Sequence, residues 1–366
     1  MALVSLAAAT ALAPAAAAEP PSLTGWIADS GGSLVRDGDG EILSIDLSRS
    51  WVTDIDLRRL GGLARLERLG LAQTHVTDRA LRVVASLPSL RELDLFFCEH
   101  VTDAGASTLR RAGLLEKLNL RGTKISDSGV RFLTELDRLR WLDIGIAEIS
   151  DASVELLEAM PFLEHLAIGG NRVSEVGVAS LRALKRLKHL DLSGAQETDS
   201  GIWAVSVNDA SLGDIAALHG IESLNLAAPS RQYVEAVSSG VPRLRGSIRV
   251  TDLGASKLAR LSSLRKLNLS RAVLTARGIR SLAALARLET LSLSHAESVD
   301  DTAGAALAEL RALRTIDVSY TRFGDQGLAA LRDHPSLERV VAVGTLVSVE
   351  EASRFASERS GRDVIR

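Results

Sequence analysis

The stretch Leu90 to Leu109, LRELDLFFCEHVTDAGASTL, decides how the rest of the chain is read. In its first half Leu90, Leu93 and Leu95 point one way and Glu92 and Asp94 the other, the pattern of a short strand. Its second half opens on Val101-Thr102-Asp103 and runs through Ala104-Gly105-Ala106 to Leu109, with the spacing of a short helix. The same sentence recurs up and down the chain. Anchored on the first apolar residue of each strand, the copies fall at Ile45, Leu69, Leu93, Leu118, Leu142, Leu166, Leu190, Leu224, Leu267, Leu291, Ile316 and Val340. The steps between them are 24, 24, 25, 24, 24, 24, 34, 43, 24, 25 and 24 residues, so nine of eleven share one period and chance is excluded.

A unit of this kind cannot bury its own leucines. Stacking places the anchors in one continuous core with strands about 4.8 Å apart, so twelve strands give an arc roughly 50 to 60 Å long. The expected fold is therefore α/β: a solenoid with a parallel sheet on its concave side and short helices on the convex side. Units such as LRELDLFFCEHVTDAGASTL and LEKLNLRGTKISDSGVRFL resemble the leucine-rich repeat family over roughly residues 40 to 350. They are similar to its cysteine-containing, F-box-associated subclass and to bacterial relatives with Thr-Asp in each repeat. The resemblance implies a horseshoe whose concave sheet binds other proteins. The 40 or so residues before the first repeat show no helical F-box pattern, so a ubiquitin-ligase adaptor role is not implied.

The remaining stretches organise around this array. Residues 1–18, MALVSLAAATALAPAAAA, resemble a secretory signal peptide cleaved after Ala18, without a basic n-region, and predict a secreted or periplasmic protein; otherwise it is cytoplasmic. Residues 19–44 form a leader and N-terminal cap, in which Asp37-Gly38-Asp39-Gly40 makes a tight turn between two strands. The array spans 45–348 and is interrupted near 201–252. There Trp203–Val207 suggests an extra strand, and AAPSRQYVEAVSSGVPRLRGSIR from Ala227 carries arginines 231, 243, 245 and 249. Insertions of this kind loop out on one face, which often binds. Residues 349–366 read as a polar helix closing the far end.

Net charge is -3 and the pI about 6.2, so no electrostatic footprint argues for nucleic acid or anionic lipid. Beyond residues 1–18, which would make only a marginal anchor if uncleaved, nothing approaches the roughly 20 apolar residues of a membrane span. Cys98 is the one cysteine, which excludes a disulfide framework and a cysteine-built metal site. It occupies the position five residues after an anchor, shared with Ser50, Thr74, Thr123, Ala147, Asn171, Ala195, Ala272, Ala296, Thr321 and Thr345, where a small polar side chain can satisfy the backbone of a turn. The hydroxyl–acid pairs Thr53-Asp54, Thr77-Asp78, Thr102-Asp103, Ser126-Asp127, Ser150-Asp151, Ser174-Glu175, Thr198-Asp199 and Thr251-Asp252 recur too regularly for catalysis. They read as helix caps, with the acid at the positive end of the helix dipole.

Function is expected on the side chains flanking each anchor. Trp141, His165 and His189 fall in one column of three consecutive strands, flanked by Asp143 and Asp191; Asp94, Asn119 and Phe97, with Phe96, extend the patch. A large exposed aromatic among imidazoles and carboxylates suits a protein-binding hot spot. The sharper alternatives are a glycan or peptide ligand at Trp141, or a metal-dependent site of two imidazoles and a carboxylate. An open sheet excludes water poorly, and no nucleophile elbow, P-loop, dinucleotide loop or HExxH occurs. The reading is a monomeric, non-enzymatic scaffold that binds a protein partner, with no catalytic residue, metal, cofactor, nucleic acid or membrane span.

Overall fold

The computed structural model describes residues 22–198, 201–230 and 244–366. The leader 1–18, arginines 231 and 243, and Asp199 lie outside the described residues. Among those described, fourteen strands form one sheet in chain order, save that the strand at 201–203 and its neighbours stand apart in a second, three-stranded sheet. All twelve anchors lie in register: Ile45 opposite Leu69, Leu69 opposite Leu93, and onward to Ile316 opposite Val340. The inner strands pair parallel, as they must when each is separated from the next by a helix or turn on the other face. The architecture is the leucine-rich repeat solenoid that the period implies.

Each strand is short. In the unit around Leu93 it covers only Glu92–Asp94, so Leu90 reaches the core from the preceding turn and not by strand alternation. Leu90 thus takes no part in the strand alternation that its spacing from Leu93 and Leu95 suggests. Leu90, Leu93 and Leu95 are nonetheless all buried, and with their equivalents Leu115, Leu118 and Leu120 they belong to one core running the length of the array. The helices are equally brief, for example Asp103–Leu109 and Asp127–Leu133, and bury one small-residue face against the next helix.

The hydroxyl–acid pairs do more than cap. Thr102 accepts a hydrogen bond from the Ala104 N–H, as a cap should. The acid, however, reaches into the following unit: Ser126 donates from its N–H to Asp103 Oδ1 at 2.7 Å and from its hydroxyl to Asp103 Oδ2 at 2.5 Å. The same double bond joins Asp54 to Thr77, Asp78 to Thr102, Asp127 to Ser150, Asp151 to Ser174 and Asp252 to Thr275. Glycine two residues beyond the acid leaves the room: a Cβ at Gly105 would stand 2.5 Å from Asp78 Oδ1. Where serine replaces that glycine, Ser153 adds its own hydroxyl bond to Asp127. Burial raises the Asp127 pKa, but the bonds from Ser150 and Ser153 outweigh it and leave the carboxyl below its ordinary value.

Thr198-Asp199 is not a member of this series. Thr198 sits in an inserted hairpin, Gln196–Thr198 with Gly201–Trp203, where its hydroxyl donates to the Gly201 carbonyl at 2.8 Å. The pair that continues the ladder is Asn208-Asp209, with Thr251 donating from its N–H to Asp209 Oδ1 at 2.9 Å across 42 residues of chain. The extra strand anticipated at Trp203–Val207 runs from Gly201 to Trp203. It pairs with Leu244–Arg245, so the two insertions meet in one small sheet.

Both ends are closed. Helix Leu23–Asp29 buries Trp26 and Ile27 beneath the antiparallel hairpin Ser33–Arg36 and Ile42–Asp46, whose turn is held by Asp37 accepting from the N–H of Asp39 and Glu41. At the far end the helix stops at Ser357, and the chain returns as a strand, Asp363–Ile365, beside Arg339–Val341. The terminal segment thus adds a strand as well as the expected helix.

Replacing Asp103 by alanine leaves the Ser126 N–H and hydroxyl without their partner and is expected to cost about 1–3 kcal/mol in a thermal or urea melt. Gly129→Ala, which drives a Cβ into Asp103 Oδ1 and Ile125, should cost a similar amount by overpacking, about 1–3 kcal/mol. A melt unchanged by either would deny the ladder its role. Because Asp127 carries a lowered pKa when folded, its contribution is present above its unfolded value of 3.8 and is lost as pH falls through the folded one.

Candidate binding surface

The register brings the predicted aromatic column together. Lys117, Trp141, His165 and His189 lie side by side on four adjacent strands. The Trp141 and His165 rings stack, centroids 4.6 Å apart and 16° from coplanar, and His165 and His189 follow at 5.7 Å. Lys117 Nζ stands 5.0 Å from the Trp141 ring centre, a cation–π contact. Burial pushes the His165 pKa down to about 4, with the His189 and Lys117 charges acting in the same direction and Asp191 opposing them. His165 is therefore a neutral, flat, half-buried ring at physiological pH, stacked on Trp141, with His189 tilted 37° beside it.

The flanking column of Asp and Asn has a second task. Asp94, Asn119, Asp143 and Asp191 each accept the backbone N–H two residues on, from Phe96, Arg121, Gly145 and Ser193, at 2.8–3.1 Å. These Asx turns end the four strands concerned. One oxygen of each of these four residues is thus engaged in the fold, and only its other atoms remain to meet a partner. Asp143 is buried enough that desolvation raises its pKa despite the Gly145 N–H and the Arg121 guanidinium, whose Nη1 lies 3.7 Å from Oδ1. Phe97 stands in the left-handed region at φ 52°, its ring edge-on to Phe96 at 4.7 Å. Its ring lies over Gly122, where a Cβ would come within 2.8 Å of it, so Phe97 is fixed on the loop side of the patch.

Two features were not read from the sequence. The first is a hollow of about 390 Å³ on the same face, beside the column, lined by Arg68, Gly70, Glu92, Asp94, Lys117, Asn119 and Trp141 among others. Gly70 opens it by leaving the Asp/Asn column without a side chain on that strand; the glycine was visible, but not what its neighbours leave empty. The second is a row two residues before each anchor from Leu69 onward that alternates in sign: Glu67, Arg91, Glu116, Arg140, Glu164, Lys188, Glu222, Arg265, Glu289, Arg314 and Glu338. Neighbours in this row form ion pairs, Arg140 and Lys188 both with Glu164 at 2.9 and 2.7 Å, and Arg265 with Glu289 at 2.7 Å. The signal was legible once the columns were aligned.

Cys98 is fully buried, donates to the Leu71 carbonyl at 3.1 Å, and has its pKa raised by burial, so it is a protonated structural thiol. Among the described residues no three His, Cys, Asp or Glu side chains converge on a point where a metal could sit. No described helix is long and apolar enough to cross a membrane.

Comparisons with known proteins agree with this geometry. Residues 86–109, 114–137, 260–283 and 310–331 match the family described as Leucine Rich repeat. The mitochondrial ATP synthase subunit s of Rattus norvegicus is 35% identical over 104 residues, 26% of this chain and 50% of that protein, so the chain spans about half the length of this relative. Among solved structures, an internalin from Listeria monocytogenes superposes with a TM-score of 0.56 at 18% identity, covering 88% of this chain and 86% of its own. A Leptospira interrogans LRR protein gives 0.50 at 14% identity, covering 84% and 80%. At these identities the structures speak for the fold.

The stacked column predicts an imidazole titration. Nuclear magnetic resonance of His165 should give a pKa near 4, and Trp141→Ala, which uncovers the ring, should raise it toward 6.5. A value near 6.5 in the native protein would mean that the rings do not stack in solution. Cys98 should resist a thiol reagent until the protein is unfolded; ready reaction of the native protein would show the position to be open.

Proposed function

We propose that this chain, a leucine-rich repeat protein, is a non-enzymatic scaffold that binds a protein partner through the concave face of its sheet, centred on Lys117, Trp141, His165 and His189. The observation that carries the reading is the stacked column itself. Four consecutive strands hold three flat rings and a lysine in contact, next to a hollow of about 390 Å³. Rigid aromatics beside a recess, ringed by charged side chains, are what binding hot spots use, because they bury area while losing little conformational entropy.

The partner contributes a mixed surface. Glu92 and Asp94 lie on the strand between those of Arg68 and Lys117, so the hollow presents both signs of charge and the face favours a protein over a polyanion. Enzymatic work is not part of the proposal, since the carboxylates nearest the imidazoles are engaged in strand-ending turns and the sheet is open to water. Export forms part of the same reading and is supported by the apolar stretch 1–18; N-terminal sequencing of protein recovered from culture or periplasm should begin at Glu19.

The test is affinity capture from cell-envelope and culture fractions with the native protein and with a Trp141→Ala, His165→Ala, His189→Ala variant whose circular dichroism is native. A partner identified by mass spectrometry is then titrated, as purified protein, against both. A loss of at least about tenfold in affinity in the variant is expected for residues of hot-spot rank. Equal affinity would move the site off this column.

A further inference from the structure

We propose that the C-terminal cap is an acid-released latch with the buried His334 beneath it as the trigger: a proton gained there parts residues 349–365 from the last repeat.

The position six residues before each anchor, from Leu69 onward, is apolar in ten units, as at Leu87, Leu136, Met160, Leu261 and Leu310. In the eleventh, where the array meets its cap, it is His334, which is only 2% exposed. The fold fills this position without a polar atom everywhere else, so packing does not call for an imidazole. Its ring nitrogens are both engaged. Ser336 and Leu337 donate from their N–H groups to Nδ1 at 3.3 and 3.0 Å. That leaves the one proton of the neutral ring on Nε2, which donates to the Leu310 carbonyl at 2.9 Å. The pocket is thus built for the neutral form. A second proton can go only to Nδ1, where two donors already point.

The cap hangs on the same turn. Arg362 donates to the His334 carbonyl at 3.0 Å, and Arg359 to the carbonyls of His334 and Pro335. Arg362 is nine-tenths buried, lies 4.5 Å from the centre of the buried Phe355 ring, and has its Nε without a hydrogen-bond partner. Phe355 belongs to the helix Val349–Ser357, and Arg362 leads into the strand Asp363–Ile365, so both parts of the cap meet at this turn.

The charges facing the ring share one sign. Arg311 acts from the turn of the preceding unit, and Arg362 and Arg359 from the cap. The nearby carboxylates, Asp333 on the same turn and Glu358 on the cap, act on Arg332 and Arg362. Burial first, and then the three arginines, hold the imidazole pKa below 6.5, with the Leu310 carbonyl opposing them. Such a histidine takes its proton more readily once the cap has opened. Closure is therefore fully supported above about pH 6.5 and weakens as pH falls toward the folded value. Opening bares the edge of strand Arg339–Val341, which Asp363–Ile365 covers, and a bare edge is a template for another strand.

Hydrogen–deuterium exchange of the full chain, followed by mass spectrometry and corrected for intrinsic rate, tests this at about pH 7 and about pH 5. Opening of 349–365 should increase about fivefold or more between them, while the N-terminal cap, 23–46, changes by less than about twofold. His334→Gln keeps an amide for the Leu310 carbonyl and cannot become charged, so it should cut the increase below about twofold. Arg311→Gln, an exposed change, should raise the His334 pKa measured by nuclear magnetic resonance and make the increase smaller. If His334→Gln fails to give a native circular dichroism spectrum, Arg311→Gln decides. No increase in 349–365, an equal one in 23–46, or one that the deciding variant leaves unchanged would each overturn the proposal.

Discussion

An aspartate at the start of one short helix, bonded to the hydroxyl and N–H that open the next, holds the array in register. The helices involved run only about two turns, too short to persist alone in water. Their stability has to come from neighbours, and apolar burial is not directional enough to say which neighbour sits where. The carboxylate supplies the direction. It has two oxygens and meets two donors a fixed distance apart, so each unit can be seated on the previous one in only one way. The glycine two residues beyond the acid is the steric counterpart of that bond, and the serine at 153 shows what the position tolerates when the added atom is itself a donor.

This explains what was legible in the sequence and what was not. The anchors are readable because every unit repeats them, and the strand register follows from them directly. The Thr-Asp pairs are readable as caps, since local hydrogen bonding depends on sequence neighbours alone. Their longer reach is not, because it joins residues 23 or 24 apart whose proximity exists only once the units stack. The same limit hid the alternating charges before each anchor: Arg91 next to Glu116 means little along the chain and much across it. Thr198-Asp199 misled for the converse reason. It has the composition of a cap but falls within an insertion, where the period that gives the pair its meaning has lapsed. Asn208-Asp209 does the work instead, with an amide in place of the hydroxyl.

The candidate concave site was half legible. Column membership follows from the period, so Trp141, His165 and His189 were expected together, and they adjoin, the first two stacked and His189 tilted against them. Burial was not foreseeable from the period. Asp94, Asn119, Asp143 and Asp191 look like free polar groups in a sequence and turn out to end their strands, because the strands are three residues long and each needs something to stop it. A surface residue in such a fold serves the backbone first and a ligand second. Nor could the hollow beside Gly70 be read, since it is defined by what five neighbouring strands fail to fill.

A repeat array interacts chiefly with its nearest neighbours, so its middle is held on both sides and its ends on one. The concave column and the inserted hairpin lie in or beside that doubly supported middle, and each is a departure from the repeat. On the concave face the departure is chemical: large rings occupy three consecutive strands of a column that elsewhere carries serine, threonine and charged residues. On the flank it is geometric: the period stops, inserts a hairpin and resumes. A regular array supplies stiffness but no identity, because every unit offers the same atoms. Recognition requires positions where the units differ, and a stiff scaffold tolerates them since the register is fixed elsewhere, by the aspartate ladder. The insertion illustrates the point: Asp209 still reaches Thr251 across 42 residues, so the array closes behind the added chain as though it were absent.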